Sequence, residues 1–503
     1  MTAPAQPVDT TTSDGHPSYL KIIVTLLVAA FVVILNETVM GVALPRLMSE
    51  LRITAGLGQW LTTAFMLTMA IVIPTTGFLL QRLTTRTVFI LAMSLFSAGT
   101  LLAGLSAGFG MLVVARVIQA SGTAIMMPLL MTTILGLVPV HRRGTMMGNV
   151  SIVISVAPAI GPTLSGLILQ FLHWRFMFLI VLPIALAALI YGAIRLTNVG
   201  EQSRPRLDVL SIVLSVPGFG GIVFGLNQLG EASHGGSMVV AVTSLVVGVT
   251  SLVLFVVRQL RLYRPGNPLL DLRVFRYPMF RLGVALLCVA MTALFGTIIL
   301  LPIFLQNIRG LDPLTTGLLV LPGGALMGVL APIVGRLFDR WGPKGLATFG
   351  ASVMVLVLWG LTTVNQTTPI WQLLGLHLIL SLGLAAMFTP AFTTALNPLP
   401  PHLHSHGSAV LSTLQQVAGA AGTALLVTIM TVRSQAAVVA GAGELVAQNQ
   451  GIQLAFGVAA LIGILAIVIA AFLRTSKEEP EQPGEPTAEP GDPTVEPEIA
   501  ELR

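Results

Sequence analysis

Residues 19–45 read YLKIIVTLLVAAFVVILNETVMGVALP, and this stretch decides the fold. After Lys21 it runs through residues that belong in hydrocarbon, long enough to cross a bilayer, which takes about 20 apolar residues as a helix. Lipid cannot satisfy open backbone groups, so the run must be helical. Thirteen further runs of this kind begin near residues 57, 87, 109, 144, 174, 207, 237, 280, 314, 344, 369, 407 and 451. With the first, starting near residue 20, they predict an all-α integral membrane protein with fourteen crossings and both ends on one side.

The composition agrees. The 503 residues are 54% hydrophobic and 9% charged, whereas a soluble chain carries roughly 25% charged residues. There is too little polar surface for a water-soluble particle. The net charge of +6 is not a nucleic-acid signature, because positive side chains of membrane proteins gather in cytoplasmic loops. With the N-terminus placed in the cytoplasm, twenty of the 26 Lys and Arg fall inside and five outside (Arg46, Arg52, Arg175, Arg309, Arg433), leaving Arg116 within a span. That bias sets the expected orientation. The lone cysteine, Cys288, excludes an internal disulfide. Residues 1–19 are polar and the first run is long enough to span, so no short cleavable signal is expected. The tail 475–503 is acidic and Pro-rich with little to bury, and is expected to be disordered in the cytoplasm. The basic loop 261–279 suits contact with anionic lipid and linkage of two halves. Residues 434–450 are expected to form the longest outside loop, with room for a short helix.

The chain repeats itself. GFLLQRLTTRTVF (77–89) after span 2 matches GRLFDRWGPKGLA (335–347) after span 10. PVHRRGTMMG (139–148) before span 5 matches HLHSHGSAVL (402–411) before span 13, and VAPAIGPT (156–163) echoes VAGAAGT (417–423). Each feature recurs eight spans later, so two six-helix halves are expected, at 20–200 and 280–474, with an inserted pair of helices at 207–260. Repeated halves around a midplane site are the architecture of secondary transporters.

Glu37 is the only carboxylate inside the apolar runs. Ionisable groups in hydrocarbon are costly and usually functional with a partner, though a neutral, hydrogen-bonded Glu tying two helices together is the plainer reading. Arg116 in span 4 is the second intruder. At 1.5 Å per residue both lie roughly 10–12 Å from the outer surface. Opposite charges at one depth are expected to lie near each other, directly or through Gln119. Burial raises a carboxylate pKa and a nearby Arg lowers it, so Glu37 suits a proton-coupling role with Arg116.

The motifs LNETVMGVALP (35–45), ARVIQASGTA (115–124), APAIGPTLSG (157–166), HWRFMFLIVLP (173–183) and GRLFDRWGPKG (335–345) resemble those of the fourteen-span drug:proton antiporters of the major facilitator superfamily, in the branch that exports lincomycin and multiple drugs. The resemblance covers nearly the whole chain except its tails. It implies the major facilitator fold, two halves rocking about a central cavity in a bacterial inner membrane, and inward proton flow as the drive. Two departures stand out: Asn36 occupies a place often held by Asp, with the acid one residue later, and Gln81 stands where the first cytoplasmic loop usually has Asp. The resemblance also implies that Gly161, Pro162 and Gly166 in span 5 seal the cavity, although small residues there also serve ordinary close packing.

Gly335, Asp339, Arg340 and Lys344, with Gly77 and Arg82 in the first copy, read either as a solvated turn or as a latch in which Asp339 accepts hydrogen bonds from neighbouring helix N-termini or Arg. Met40, Trp60, Phe65, Met66, Gln119, Met126, Met127, Phe295, His377, Gln415 and Gln416 are candidates for the cargo surface, since Met adapts to many shapes and aromatic faces attract cations. His402, His404 and His406 lack a second ligand pair for zinc and read as a helix entry. No metal, nucleophile–base pair or phosphate loop is indicated, which counts against an enzyme or a sensor. The expected function is proton-coupled efflux of amphiphilic, neutral or cationic compounds by alternating access, or else export of an endogenous lipid or metabolite. The proton is the coupling ion and no cofactor is expected. The expected partners are small-molecule substrates and membrane lipids, not nucleic acid, and the expected state is a monomer.

Overall fold

The computed structural model describes residues 19–53, 55–198, 208–232, 237–262 and 268–474. The expectations for the two tails, and for part of the basic loop before residue 268, lie outside the described residues. The first half holds α1 (Tyr19–Leu51), α2 (Ala55–Arg82), α3 (Thr85–Gly104), α4 (Phe109–Leu137), α5 (Arg143–Phe171), the short α6 (Phe176–Leu179) and α7 (Val181–Arg195). Two helices follow, α8 (Val209–Ala232) and α9 (Met238–Leu262). The last six are α10 (Pro278–Ile303), α11 (Pro313–Trp341), α12 (Pro343–Leu361), α13 (Ile370–Leu396), α14 (His404–Val439) and α15 (Glu444–Ala471). With α6 and α7 taken as one, fourteen helical segments among the described residues are long and apolar enough to cross a membrane, as the hydropathy predicts.

Helix ends lie where the local chemistry places them. Thr84 caps α3 by accepting from Thr87 N at 3.1 Å, and Asp312 caps α11 by accepting from Thr315 N at 3.0 Å. Hydrogen bonds from Thr315 hold the Asp312 carboxyl below the usual carboxylate range. Gly342, at φ +76°, turns the chain from α11 straight into Pro343, the first residue of α12. An even number of crossings returns the chain to its starting side, where the helix ends carry Arg82, Arg142, Arg195, Arg336, Arg340 and Lys344. This end is the basic face.

One expectation fails. Residues 434–450 are not a long loop: α14 runs to Val439 and α15 starts at Glu444. Polar side chains that read as loop instead pair with a neighbouring helix or with the connection between α12 and α13. Arg433 Nη2 donates to Gln450 Oε1 at 2.9 Å, and Asn449 Nδ2 donates to Val364 O at 3.2 Å. Gly441, at φ +89°, makes the tight turn. The first helix also runs beyond Pro45, to Leu51, where Arg46 Nε pairs with Glu50 Oε1 at 2.7 Å.

The two halves meet chiefly along α5 and α11, which run antiparallel. Their approach needs small residues. A Cβ on Gly335 would sit 2.5 Å from Gly144 O, and one on Gly148 or Gly328 would collide with Ala331 O or the Val156 side chain. Gly161 instead admits Thr38 of α1, while Gly166 faces Leu314 of α11. A second junction joins α2 to α14. The inserted α8 packs on α9 and against both α2 and α14.

Candidate functional site

Arg116 is 1% exposed. Its guanidinium lies 4.0 Å from the centre of the Phe65 ring, and Nε points at Leu61 O at 3.4 Å. Its Nη1 donates to Gln119 Oε1 at 2.7 Å and reaches Asn36 Oδ1 at 3.4 Å. Gln119 Nε2 passes the chain on to Thr100 Oγ1 at 2.8 Å. A buried cation is thus served by neutral acceptors and an aromatic face from α1, α2, α3 and α4.

Glu37 occupies the same layer, since its neighbour Asn36 touches Arg116. It makes no salt bridge with Arg116 within 4.0 Å, yet the guanidinium charge acts on it. The residue is half-buried. Asn36 points toward α4 and Thr38 toward α5, where Thr38 meets Gly161. At 100° per residue Glu37 projects between those two directions. Asn36 is the residue that sequence reasoning undervalued: it was noted as a departure, whereas here it is the bridge between α1 and Arg116.

On the basic face, Asp339 at the end of α11 accepts from Gly144 N at 2.9 Å, Thr145 N at 2.9 Å and Thr145 Oγ1 at 2.7 Å. These are orphan donors of the first turn of α5. The corresponding residue of the first copy, Gln81, donates to His406 Nε2 at 2.8 Å and to His402 O at 3.4 Å, at the start of α14. The repeat therefore builds two contacts at the basic face, one charged and one neutral. Gly77 packs on His406 and Ala409 as Gly335 packs on Gly144 and Thr145. Arg82 lies 5.7 Å from the centre of the Phe78 ring, while Arg340 and Lys344 are exposed. Arg143 Nη1 to Asn397 Oδ1 at 3.5 Å and Ser151 Oγ to Thr389 Oγ1 at 3.1 Å tie α5 to α13.

The three histidines diverge: His404 Nε2 bonds Leu399 O at 2.9 Å and His406 turns to Gln81. Among the described residues no group of three or more His, Cys, Asp or Glu is placed to hold a metal. Near His406 lies Asp271 of the linker. Burial pushes its carboxyl up, but hydrogen bonds from Arg273 outweigh this and hold it below the usual range. Sequence reasoning also passed over Asp208. It pairs with Arg258 at 2.6 Å, and Gln259 joins Ser211 Oγ at 2.7 Å to Leu270 N at 3.2 Å. This network ties the inserted pair to the linker.

The cargo candidates are spread over α1, α2, α4, α10, α13 and α14. Met40 packs with Val39, Ala43 and Trp174, and Met126 is buried in the large core. Met66 and Met127 are half-buried on α2 and α4. Trp60 is 41% exposed and lies against Phe224 of α8, with ring centres 5.6 Å apart. Phe295 of α10 faces Gly419 of α14, the helix that also carries half-buried Gln415 and Gln416. His377 Nε2 bonds Val320 O at 3.1 Å.

Comparison with known proteins places this arrangement. The family model of the Major Facilitator Superfamily matches residues 26–423. A lincomycin resistance protein, LmrB, of Listeria monocytogenes is 42% identical over 463 residues, covering 91% of this chain and 97% of that protein. Its namesake in Bacillus subtilis is 41% identical over 480 residues, covering 93% and 98%. A multidrug resistance protein B homolog of Mycobacterium tuberculosis is 29% identical over 404 residues, covering 79% and 73%. Among solved structures, the human organic anion transporter MFSD10 (TETRAN) superposes with a TM-score of 0.63 at 14% identity, covering 90% of this chain and 100% of that one. At that identity the likeness speaks for the fold alone.

Proposed function

This chain belongs to the major facilitator superfamily, a multi-pass membrane transporter rather than an enzyme, and from that premise we propose that it is a proton-driven exporter of antibiotics. Its cargo is amphiphilic, neutral or cationic, with lincomycin the first compound to test because the related proteins carry that resistance in their names. The basic face lies in the cytoplasm of a bacterium, by the positive-inside bias, and the protein works in the inner membrane as a monomer.

One observation carries the coupling: Glu37 is a half-buried carboxylate in the layer of an Arg116 that neutral groups already satisfy. Taking up a proton therefore breaks no ion pair. It removes the charge that the Arg116 field favours, and the α1–α4 contact loosens. Such a change, at a layer shared by α1 and α4, biases how the first half sits on α11. The Asp339 and Gln81 latches hold the basic face shut while Glu37 exchanges protons with the far side. Cargo loads when the latches part.

The test is lincomycin accumulation in cells expressing the chain, with and without a protonophore, for the native protein and Glu37→Gln. Lower accumulation that the protonophore abolishes and Glu37→Gln prevents is the expected result. Undiminished proton-dependent export by Glu37→Gln removes Glu37 from the mechanism. Equal accumulation in expressing and control cells, for lincomycin and a panel of amphiphilic cations, leaves export of an endogenous lipid or metabolite.

A further inference from the structure

Arg116 and His377 are counterparts in the repeat. Arg116 lies seven residues after Phe109, the first residue of α4, and His377 seven residues after Ile370, the first of α13. Each hands an N–H to a backbone carbonyl of an adjacent helix: Arg116 Nε to Leu61 O of α2 at 3.4 Å, and His377 Nε2 to Val320 O of α11 at 3.1 Å. The two carbonyls lie close in the repeat, one residue apart in the register that sets Gln81 against Asp339. Both halves thus set a nitrogen-bearing side chain of α4 or α13 on a backbone carbonyl of the neighbouring α2 or α11.

What completes the two sites differs. Phe65, Gln119 and Asn36 surround the guanidinium. Beside the imidazole stands Gly323, where an added Cβ would collide with Nε2. Leu380, three residues beyond His377 as Gln119 is beyond Arg116, is apolar. A carbonyl oxygen only accepts, so Nε2 carries the hydrogen of the neutral ring and Nδ1 keeps a bare lone pair. That Nδ1 is buried without a partner, which calls for an explanation. Ser381 does not supply one, because its hydroxyl donates to the backbone carbonyl of His377 at 2.8 Å. No acidic or basic side chain of α5, α10, α11 or α12 among the described residues acts on the ring.

We propose that His377 is a second proton-binding site, taking a proton on the Nδ1 lone pair while Nε2 stays bonded to Val320. The step is an addition: a hydronium ion gives up its proton to Nδ1 and leaves as water, and neutral imidazole becomes imidazolium. The proposal rests on the reading of the chain as proton-driven and deepens it. Glu37 and His377 then place one titrating group in each half, so that a full cycle can exchange two protons for one cargo molecule.

The test is ¹⁵N-histidine NMR of the full chain in lipid nanodiscs between about pH 5 and 8, with the His377 signals assigned by their loss in His377→Gln. Gln keeps an N–H for Val320 but cannot take the proton, and His377→Asn serves for assignment if the first variant does not fold. The expected spectrum shows a bare Nδ1 that converts to imidazolium as the pH falls. A ring that stays neutral throughout overturns the proposal. In everted vesicles, lincomycin-driven proton efflux should fall by about half in His377→Gln, the loss of one of two exchanged protons, and an unchanged proton-to-cargo ratio also overturns it. Glu37→Gln, measured in parallel, should leave the His377 signal in place, so failure of the Glu37 mechanism is read separately.

Discussion

Asp339 grips the first turn of α5 across the boundary between the halves, with both carboxylate oxygens engaged: Oδ1 by Gly144 N and Oδ2 by Thr145 N and Oγ1. The negative charge sits at the positive end of a helix, where both orphan donors and the macrodipole favour it. The other latch, Gln81 on His406, has the same place in the repeat but no carboxylate. The two junctions should therefore open with unequal ease.

Asp339→Asn should weaken the basic-face closure. Hydrogen bonds to a charged acceptor contribute about 1.5–3 kcal/mol each, so loss of the charge should shift the closed-to-open ratio by roughly 10- to 100-fold. Accessibility of cysteines introduced near residues 142 and 336, in a Cys288→Ser background, measures it. An unchanged labelling rate would refute the latch.

Gln81→Ala removes a neutral contact worth about 1 kcal/mol. Its effect on the same labelling should be several-fold smaller than that of Asp339→Asn. Equal effects would mean that the charge on Asp339 is irrelevant.

Gly335→Val should separate α5 from α11, since even a Cβ there meets Gly144 O at 2.5 Å. Overpacking of this kind typically costs about 1–3 kcal/mol. The expected outcome is protein that still reaches the membrane but exports at least about ten-fold more slowly, with a lower Tm in detergent.

Arg116→Lys should cost more than a conservative change suggests. A single ammonium cannot serve Leu61 O, Gln119 and Asn36 together in the guanidinium's planar fork. Export should drop at least about ten-fold, the equivalent of one lost hydrogen bond to a charged group. Near-native export by this variant would show that position 116 needs only positive charge.

Asp208→Asn tests the inserted pair. Hydrogen bonds from Arg258 hold the Asp208 carboxyl below its ordinary range. A carboxyl depressed in the folded state stabilises it at pH values above about 3.9, its unfolded value, and loses that contribution as the pH falls through the folded value. The variant should melt about 1–3 °C below the native protein at pH 7, a small gap because the pair is partly exposed. The gap should close on acidification below about pH 4. A gap that widens on acidification would contradict the assignment.

Length and hydropathy alone determined the fourteen helices, because a bilayer admits only self-satisfied backbone of about 20 residues, and this made the span starts legible to within a few residues for most helices. The repeat was legible as well, through Gly-led motifs eight spans apart, and so was the identity of the two intruding charges. Where side chains paired was not. Residues 434–450 read as a loop because their Gln, Glu and Asn look solvent-facing in one dimension, whereas Gln450 and the preceding Arg433 find each other only once two helices stand side by side. Asn36, not Glu37, touches Arg116, because one residue is a 100° rotation and helix rotation is set by packing against α4 and α5. Likewise the kinship of His377 with Arg116 rests on two carbonyls, Val320 O and Leu61 O, that carry no signal in the identity of their residues. Local chemistry therefore decided which segments are helices and which groups are costly in hydrocarbon. The tertiary structure decided which costly group meets which partner, because that depends on how each helix is turned about its own axis.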